Sequence, residues 1–235
     1  MVAQRLRGTD NRVIVNLSRT DRAHLESFLK PVELKVRTRL ESANSKVNAI
    51  YFLERGLASV VGTGGERRQA EVAIIGREGM TGASFLLGVD RSPHETFMQL
   101  EGEGLYITAD HLRLLMTESD TLTSSLLRYV HLFLVQVAHT AVANAKGNIE
   151  ERLARWLLMV HDRVEGDDVK LTHDFLAQML GVRRAGVTTA MNKLEALGLM
   201  ENTRGCITIL DRGGLEKVAG GLYGAPEAEY LRLFG

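Results

Sequence analysis

The chain has 235 residues, enough for two compact domains, and an ordinary share of hydrophobic (45%) and charged (25%) residues. Its 29 basic residues balance its 29 acidic ones, so net charge does not point to a nucleic-acid partner. A single cysteine, Cys206, excludes an intrachain disulfide framework and any cluster held by several cysteines. We find no signal-peptide core and no apolar run near the roughly 20 residues of a membrane span, so we expect a cytoplasmic protein without membrane contact.

The N-terminal half begins with a helical pattern and continues with strands. A helix is predicted to begin at Ser18, which has Asp21 at capping-box spacing, and to end before Pro31. From residue 32 to 98, short apolar or alternating runs are separated by polar and glycine-containing turns. We interpret residues 54–56 and 62–65 as hairpin turns. Many short strands at this spacing indicate a β-sandwich or barrel.

Helical periodicity returns after Thr108, over residues 110–116 and then over residues 120–145. The second helix, about 39 Å long at 1.5 Å per residue, carries a heptad seam. An amphipathic helix packed on its own domain is the simpler interpretation of that stripe. Additional leucines widen the apolar surface, however, which favours two neighbours: the barrel and a partner chain. The predicted dimer seam consists of Leu126, Val130, Phe133, Val137 and Thr140.

A hinge is predicted at residues 146–148, and another helix follows, ending near residue 164. The segment from 171 to 200 then has the features of a helix-turn-helix in the required order. Thr172 can cap the first helix, Ala177 is small enough for a close helix crossing, and Gly181 suits the turn. Residues 199–201 and 206–210 flank the turn at 202–205, which predicts a β-hairpin wing.

The second helix of this motif would present the outer face of its N-terminal half to the major groove. Arginine can bond guanine, whereas threonine and alanine methyl groups can contact thymine. A helical hairpin with two solvated arginines is the alternative interpretation, but the complete order of cap, small residue, turn and wing favours DNA binding. The predicted DNA-binding residues are Thr172, Arg183, Arg184, Ala185, Thr188, Thr189, Lys193 and, at the tip of the wing, Arg204.

This helix-turn-helix, together with the segments IYFLERGLASVV (50–61) and GREGMTGASFLLG (76–88), resembles the Crp–Fnr family over roughly residues 20–210. The resemblance implies an α+β chain with a cyclic-nucleotide-binding-like jelly-roll β-barrel (1–118), a long dimerisation helix (119–146) and a C-terminal winged helix-turn-helix (147–235). It also implies a homodimeric transcription regulator that binds a pseudo-palindromic operator in double-stranded DNA, with RNA polymerase as a protein partner. Of the family's usual base-reading residues only Arg184 is kept, so the operator sequence cannot be carried over.

The sensor site departs from the family's cyclic-AMP pattern. Cyclic-AMP-binding members have a glutamate after the glycine and a later Arg-Ser pair for the phosphate. Here Gly82 is followed by Ala83 and Ser84, and the later region reads Pro93-His94. We therefore expect an effector pocket, formed by Gly82, Ala83, Ser84 and His94, that has neither the carboxylate nor the arginine and does not suit cyclic AMP. No cofactor and no metal ligand set is predicted.

Two other classes of function are compatible with parts of the sequence. A ligand-sensing module that signals through a protein partner is disfavoured by the complete helix-turn-helix and wing. An enzyme is disfavoured because the sequence has no Walker loop, GxSxG elbow or HExxH pair, so no catalytic residues are expected. The effector, the operator sequence, the choice between activation and repression, and the role of residues 211–235 stay open.

Overall fold

The computed structural model describes residues 8–64, 69–203 and 205–234. Two helices precede the barrel: α1 (Arg12–Val15) and α2 (Arg19–Glu26). As predicted, Ser18 caps α2, accepting a hydrogen bond from the Asp21 amide at 3.1 Å. Helix α1 was not predicted from the sequence. It is capped by the buried Asn11, whose side-chain amide also donates to the carbonyl oxygens of Leu53 and Gly79 and so ties α1 to the barrel.

The barrel consists of antiparallel strands in two facing sheets, with the short pair β3–β7 at one end. One sheet has the order β1-β9-β4 and the other β2-β8-β5-β6. The strands are β1 (Lys30–Leu34), β2 (Arg39–Glu41), β3 (Ser45–Lys46), β4 (Ala49–Leu53), β5 (Leu57–Thr63), β6 (Gln69–Ile75), β7 (Arg91–Ser92), β8 (Glu95–Leu100) and β9 (Gly102–Thr108). Helix α3 (Ala83–Leu86) lies between β6 and β7, and α4 (Ala109–Glu118) follows β9.

One of the two predicted hairpin turns is wrong. Strands β5 and β6 pair antiparallel, so the turn that begins near residue 62 does join a hairpin, although residues 65–68 lie outside the described part of the chain. Residues 54–56 instead connect the two sheets, because β4 pairs with β9 and β5 pairs with β8. Gly56 has φ +83°, and a Cβ there would lie 2.8 Å from the carbonyl oxygens of Leu100 and Glu101. Turn residues predict a change of direction but not which strand becomes the neighbour.

Helix α5 (Asp120–Lys146) is capped by Ser119 and lies against the barrel. Its residues Leu122 and Tyr129 belong to the core that α4 and the inner side of β4 and β9 also form. By length and composition α5 is the one helix among the described residues that could cross a membrane, with a mean hydropathy of 1.3 over an 18-residue segment. This is a weak indication, because a core helix passes the same test and 39% of the segment is buried here.

The C-terminal part is a helical domain with a small sheet of order β10-β12-β11. Strand β10 and helix α9 were not predicted, because a two-residue strand has no periodicity and Gly213 and Gly214 disfavour a helix. Asp211 nevertheless caps α9, accepting from the Gly214 amide at 2.9 Å. The elements are α6 (Ile149–His161), β10 (Asp168–Val169), α7 (His173–Leu180), α8 (Arg184–Ala196), β11 (Met200–Thr203), β12 (Cys206–Ile209), α9 (Arg212–Ala219), a 3₁₀ turn (Gly220–Leu222) and α10 (Ala225–Phe234).

The C-terminal domain packs directly on the barrel. The Trp156 indole of α6 donates to Glu71 of β6 at 2.7 Å, and Arg163 donates to Glu78 at 2.7 Å. Helix α7 also contacts β6, whereas α10 returns to pack against α5. The barrel and the C-terminal domain therefore share an interface that the sequence did not predict.

Candidate nucleic-acid interface and sensor pocket

Helices α7 and α8 form the predicted helix-turn-helix. Gly181 has φ +62°, and the Val182 amide donates to the Ala177 carbonyl oxygen at 3.0 Å, which ends α7 in a glycine C-cap. Ala177 is buried at the crossing, and Val187 of α8 is fully buried beneath it. Strands β11 and β12 pair as the wing. Ala177, Gly181, Val182 and Val187 therefore meet the local requirements of a helix-turn-helix that the sequence predicted.

Four of the predicted base-reading side chains are exposed in the N-terminal half of α8. Arg184 lies 3.2 Å from the Asp174 carboxylate, and both side chains are about two-thirds exposed. The Thr189 hydroxyl donates to the Ala185 carbonyl oxygen at 3.0 Å. The exposed set is Arg183, Arg184, Ala185 and Thr189.

The other predicted DNA contacts are placed differently. Thr172 caps α7, and its hydroxyl oxygen accepts a hydrogen bond from the Phe175 amide at 3.3 Å. Thr188 is half-buried with its hydroxyl 3.2 Å from Nδ1 of His173, a residue that sequence reasoning did not select. Lys193 is ion-paired with Glu150, and this hydrogen bond lowers the pKa of Glu150.

His173 also bridges α7 to the wing, since its Nε2 lies 3.1 Å from Nδ2 of Asn202. No pattern in the sequence places these two residues together. Arg204, which the sequence predicts at the tip of the wing, lies outside the described residues.

The predicted dimer seam faces the chain's own barrel. Leu126 and Val130 are 0% and 3% exposed and belong to the core around α4 and β9. Phe133 and Val137 pack, partly buried, on the core of the opposite sheet. The Thr140 hydroxyl accepts from Arg155 at 3.1 Å. Within one chain, Leu126 and Val130 therefore pack against the barrel, whereas Phe133, Val137 and Thr140 keep part of their surface exposed.

A second stripe on α5 is exposed and also follows alternating steps of three and four. Leu127 and Leu134 are 40% and 55% exposed, which is unusual for large apolar side chains on one helix. Sequence reasoning counted some of these leucines but did not assign them to the outer face. The stripe, which we call the outer stripe, consists of Ser124, Leu127, His131, Leu134, Ala138, Ala141 and Ala145.

The four predicted effector residues do line one pocket. Gly82, Ala83, Ser84 and His94 surround a cavity of about 150 Å³ that α5 closes on one side. Gly82 is required there by geometry: its φ is +89°, and a Cβ would lie 2.8 Å from Cγ1 of Ile50. We call this cavity the barrel pocket.

The family's carboxylate and arginine are absent at Ala83, Ser84 and Pro93, as the sequence indicates, but a carboxylate from another part of the chain lines the barrel pocket. Glu41 of β2 lines it, accepting a hydrogen bond from the Thr96 hydroxyl at 2.8 Å. Burial raises the pKa of the Glu41 carboxyl, against the hydrogen bonds from Thr96 and from the backbone at Gly82. No arginine or lysine lines the pocket in the described chain. Glu41 is 42 positions from Ala83 in sequence, so only the pairing of β2 with β8 brings it to the site.

Comparison with known proteins supports this architecture. Residues 151–218 match the Crp-like helix-turn-helix domain. None of the curated proteins matches the sequence. Among solved structures, a putative Crp/Fnr-family transcriptional regulator from Eubacterium rectale is similar at 18% identity, over 87% of this chain and 96% of that chain, with a TM-score of 0.68. FixK2 from Bradyrhizobium japonicum is similar at 13% identity, over 82% and 98%, with a TM-score of 0.71.

A CRP-family transcriptional regulator from Thermus thermophilus gives a TM-score of 0.68 at 18% identity, over 83% of this chain and 99% of that chain. These matches confirm the resemblance to the Crp–Fnr family: the C-terminal domain is a Crp-like helix-turn-helix, and the chain has the regulators' fold with its cyclic-nucleotide-binding-like barrel. The class that the fold and the exposed α8 face define is a DNA-binding transcription regulator.

Proposed function

We propose that the chain acts as a homodimer that binds a pseudo-palindromic operator sequence-specifically. The proposal rests on the difference in burial between the two sides of α8. Its inner side, represented by Val187 and Met191, is fully buried, while Arg183, Arg184 and Ala185 are exposed at the N-terminal end that enters the major groove in this motif.

Arg184 is the strongest candidate for reading a base. Its one carboxylate neighbour in the described chain is Asp174, and an exposed pair of this kind contributes only about 0–1 kcal/mol. A bidentate bond to guanine O6 and N7 favours guanine over the other bases by about 1–3 kcal/mol. This is more than the ion pair contributes, so Arg184 can leave Asp174 to bind guanine. Lys193 would have to leave Glu150 to reach a phosphate, which favours a role for it in holding α8 on α6.

The outer stripe supports the homodimer. Leu127 and Leu134 would form the apolar contact between two α5 helices, and Ala138 and Ala141 would allow their backbones to approach closely. The 3-4 spacing of the stripe suits a two-stranded coiled coil. A two-fold dimer of this type places two recognition helices about 34 Å apart, one turn of DNA, which is the reason to expect a pseudo-palindrome.

The barrel pocket supports the absence of cyclic-AMP control. A cyclic nucleotide brings a phosphate anion, and an anion buried beside Glu41 without a cation is unfavourable by several kcal/mol. The volume of the barrel pocket, about 150 Å³, is also below the range of about 300–1,000 Å³ usual for ligand sites. DNA binding would then need no nucleotide. A non-enzymatic role, contact with RNA polymerase and a cytoplasmic location belong to the same proposal and rest on the family resemblance alone.

Selection of binding sites from random DNA, followed by band shifts, tests the proposal. We expect enrichment of an inverted repeat. Arg184→Ala should lose about 1–3 kcal/mol, roughly 5- to 150-fold, at one base position per half-site. Arg113→Ala, which changes an exposed arginine of α4, should bind as the wild type does.

Arg204→Ala should instead weaken binding to all sequences equally and lower the dependence of affinity on salt. Uniform weakening by Arg184→Ala would contradict its role as the base reader. If selection enriched no DNA sequence, the chain would be better explained as a module that signals through a protein partner.

A further inference from the structure

A second cavity, of about 290 Å³, lies where the barrel, α5, α6 and the C-terminal segment meet. We call it the junction cleft. The barrel contributes the loop after β6 with Arg77 and Glu78, and α1 contributes Arg12. The DNA-binding half contributes Asp162 and Arg163. The junction cleft is nearly twice the volume of the barrel pocket and shares only Phe133 with it.

The charged groups of the junction cleft are not all satisfied by one another. Arg163 pairs with Glu78 at 2.7 Å, and Asp162 is held by Arg212 at 2.8 Å. Arg12 and Arg77, in contrast, have no carboxylate within salt-bridge distance in the described chain. Nε of Arg77 is buried and has no hydrogen-bond partner there.

A buried donor without an acceptor costs about 1–3 kcal/mol, but Nε of Arg77 has almost no accessible surface, so a ligand in the cleft would meet the terminal nitrogens of the Arg77 guanidinium instead. Arg12 lies beside it, because the Arg12 amide donates to the Arg77 carbonyl oxygen at 2.8 Å. The remaining lining acid, Glu227, accepts from the Gly224 amide at 3.1 Å. The lining carries three arginines and three carboxylates, but Arg212, from outside the lining, holds Asp162. Arg12 and Arg77 therefore share only Glu227, which leaves one positive charge to match a monoanion.

The rest of the lining is apolar and aromatic. Leu132 and Phe133 of α5 face the cleft together with the ring of Tyr129, whose hydroxyl is already donated to the Met80 carbonyl oxygen at 2.6 Å. Tyr230 covers the cleft from α10, a helix without a single buried side chain among its described residues. A flat apolar group would fill such a space better than water does.

We propose that the junction cleft binds a small aromatic monocarboxylate, with its carboxylate on Arg77 and Arg12 and its ring against α5 and Tyr230. A planar guanidinium matches a carboxylate in geometry and charge. Because the lining comes from the barrel, α5 and the DNA-binding half, a bound acid would stabilise the packing of these parts. The inference goes beyond the proposed function, since it does not depend on DNA binding.

Titration calorimetry of the full chain with phenylacetate and indole-3-acetate tests the site without DNA. We expect saturable binding of one acid per chain with Kd below about 1 mM. The uncharged phenylacetamide and indole-3-acetamide should bind at least about tenfold more weakly, because they lack the charge that the arginines select. A saturating acid should also raise the Tm of the protein.

Variants locate the site. Arg77→Met keeps an unbranched, flexible side chain but removes the guanidinium group, and should weaken binding of the acids at least about tenfold. Arg12→Met should act in the same direction, and because Arg12 is exposed, this variant should fold normally. Arg19→Met, an exposed arginine of α2 away from the cleft, should bind as the wild type does. Failure of both acids to bind, equal binding of the amides, or binding unaffected by the Arg12 and Arg77 changes would overturn the proposal.

Discussion

The contact between Glu71 and Trp156 makes the packing of the barrel on the DNA-binding half sensitive to pH. Glu71 is buried, and burial raises the pKa of its carboxyl to about 7 from 4.5. The surrounding groups offset only part of this effect: Ser59 of β5 and, from the other half, Trp156 with Arg155 and Arg163. The second carboxyl oxygen has no hydrogen-bond partner among the described residues.

Between pH 4.5 and about 7 the folded chain keeps the Glu71 proton, whereas the unfolded chain loses it. The unfolded state then binds fewer protons, so the free energy of unfolding falls as pH rises, by about 1.4 kcal/mol per unit. The contribution is complete below pH 4.5 and is lost by about pH 7, a total of about 3 kcal/mol. Glu71→Gln removes the titration while its amide oxygen can still accept from Trp156.

The assay is unfolding by heat or urea at pH 5 and pH 8, followed by the fluorescence of Trp156, the one tryptophan of the chain. We expect wild type and Glu71→Gln to differ little at pH 5. At pH 8 the variant should be more stable by about 3 kcal/mol, or about 6–12 °C in Tm for a chain of this size. Glu103→Gln, which changes an exposed carboxylate of β9, is the control and should leave the pH dependence unchanged. A difference between variant and wild type that is the same at both pH values would refute the reasoning.

Two further predictions concern the dimer and the barrel pocket. Leu127→Glu combined with Leu134→Glu should give folded monomers in light scattering, because both side chains are exposed in one chain, whereas Leu114→Glu, on the exposed side of α4, should leave the dimer intact. Val130→Glu should instead destabilise the chain itself by several kcal/mol, since it places a charge in the core. If this variant were a stable monomer, Val130 would belong to the dimer interface, as the sequence predicted. Cyclic AMP and cyclic GMP should show no binding by calorimetry and no effect on band shifts, because Glu41 faces the pocket and no cation does in the described chain; micromolar binding that tightens DNA affinity would contradict this.

Much of the architecture could be predicted because it depends on local chemistry. The cap at Ser18, the turn at Gly181 and the small Ala177 are requirements that neighbouring residues impose on the backbone. The same holds for the exposed face of α8, since a helix with one buried side must present the other. Residues three or four positions apart share such a face, so periodicity is sufficient to find them.

The tertiary structure decided what depends on neighbours far apart in the sequence. Helix α5 carries two stripes with heptad spacing, and only packing on the barrel shows that Leu126 and Val130 are inside while Leu127 and Leu134 are outside. Strand pairing likewise brings Glu41 to the barrel pocket. The physical reason is common to both: spacing along a helix or strand determines which residues share a face, but which partner covers that face depends on contacts between segments that no local pattern encodes.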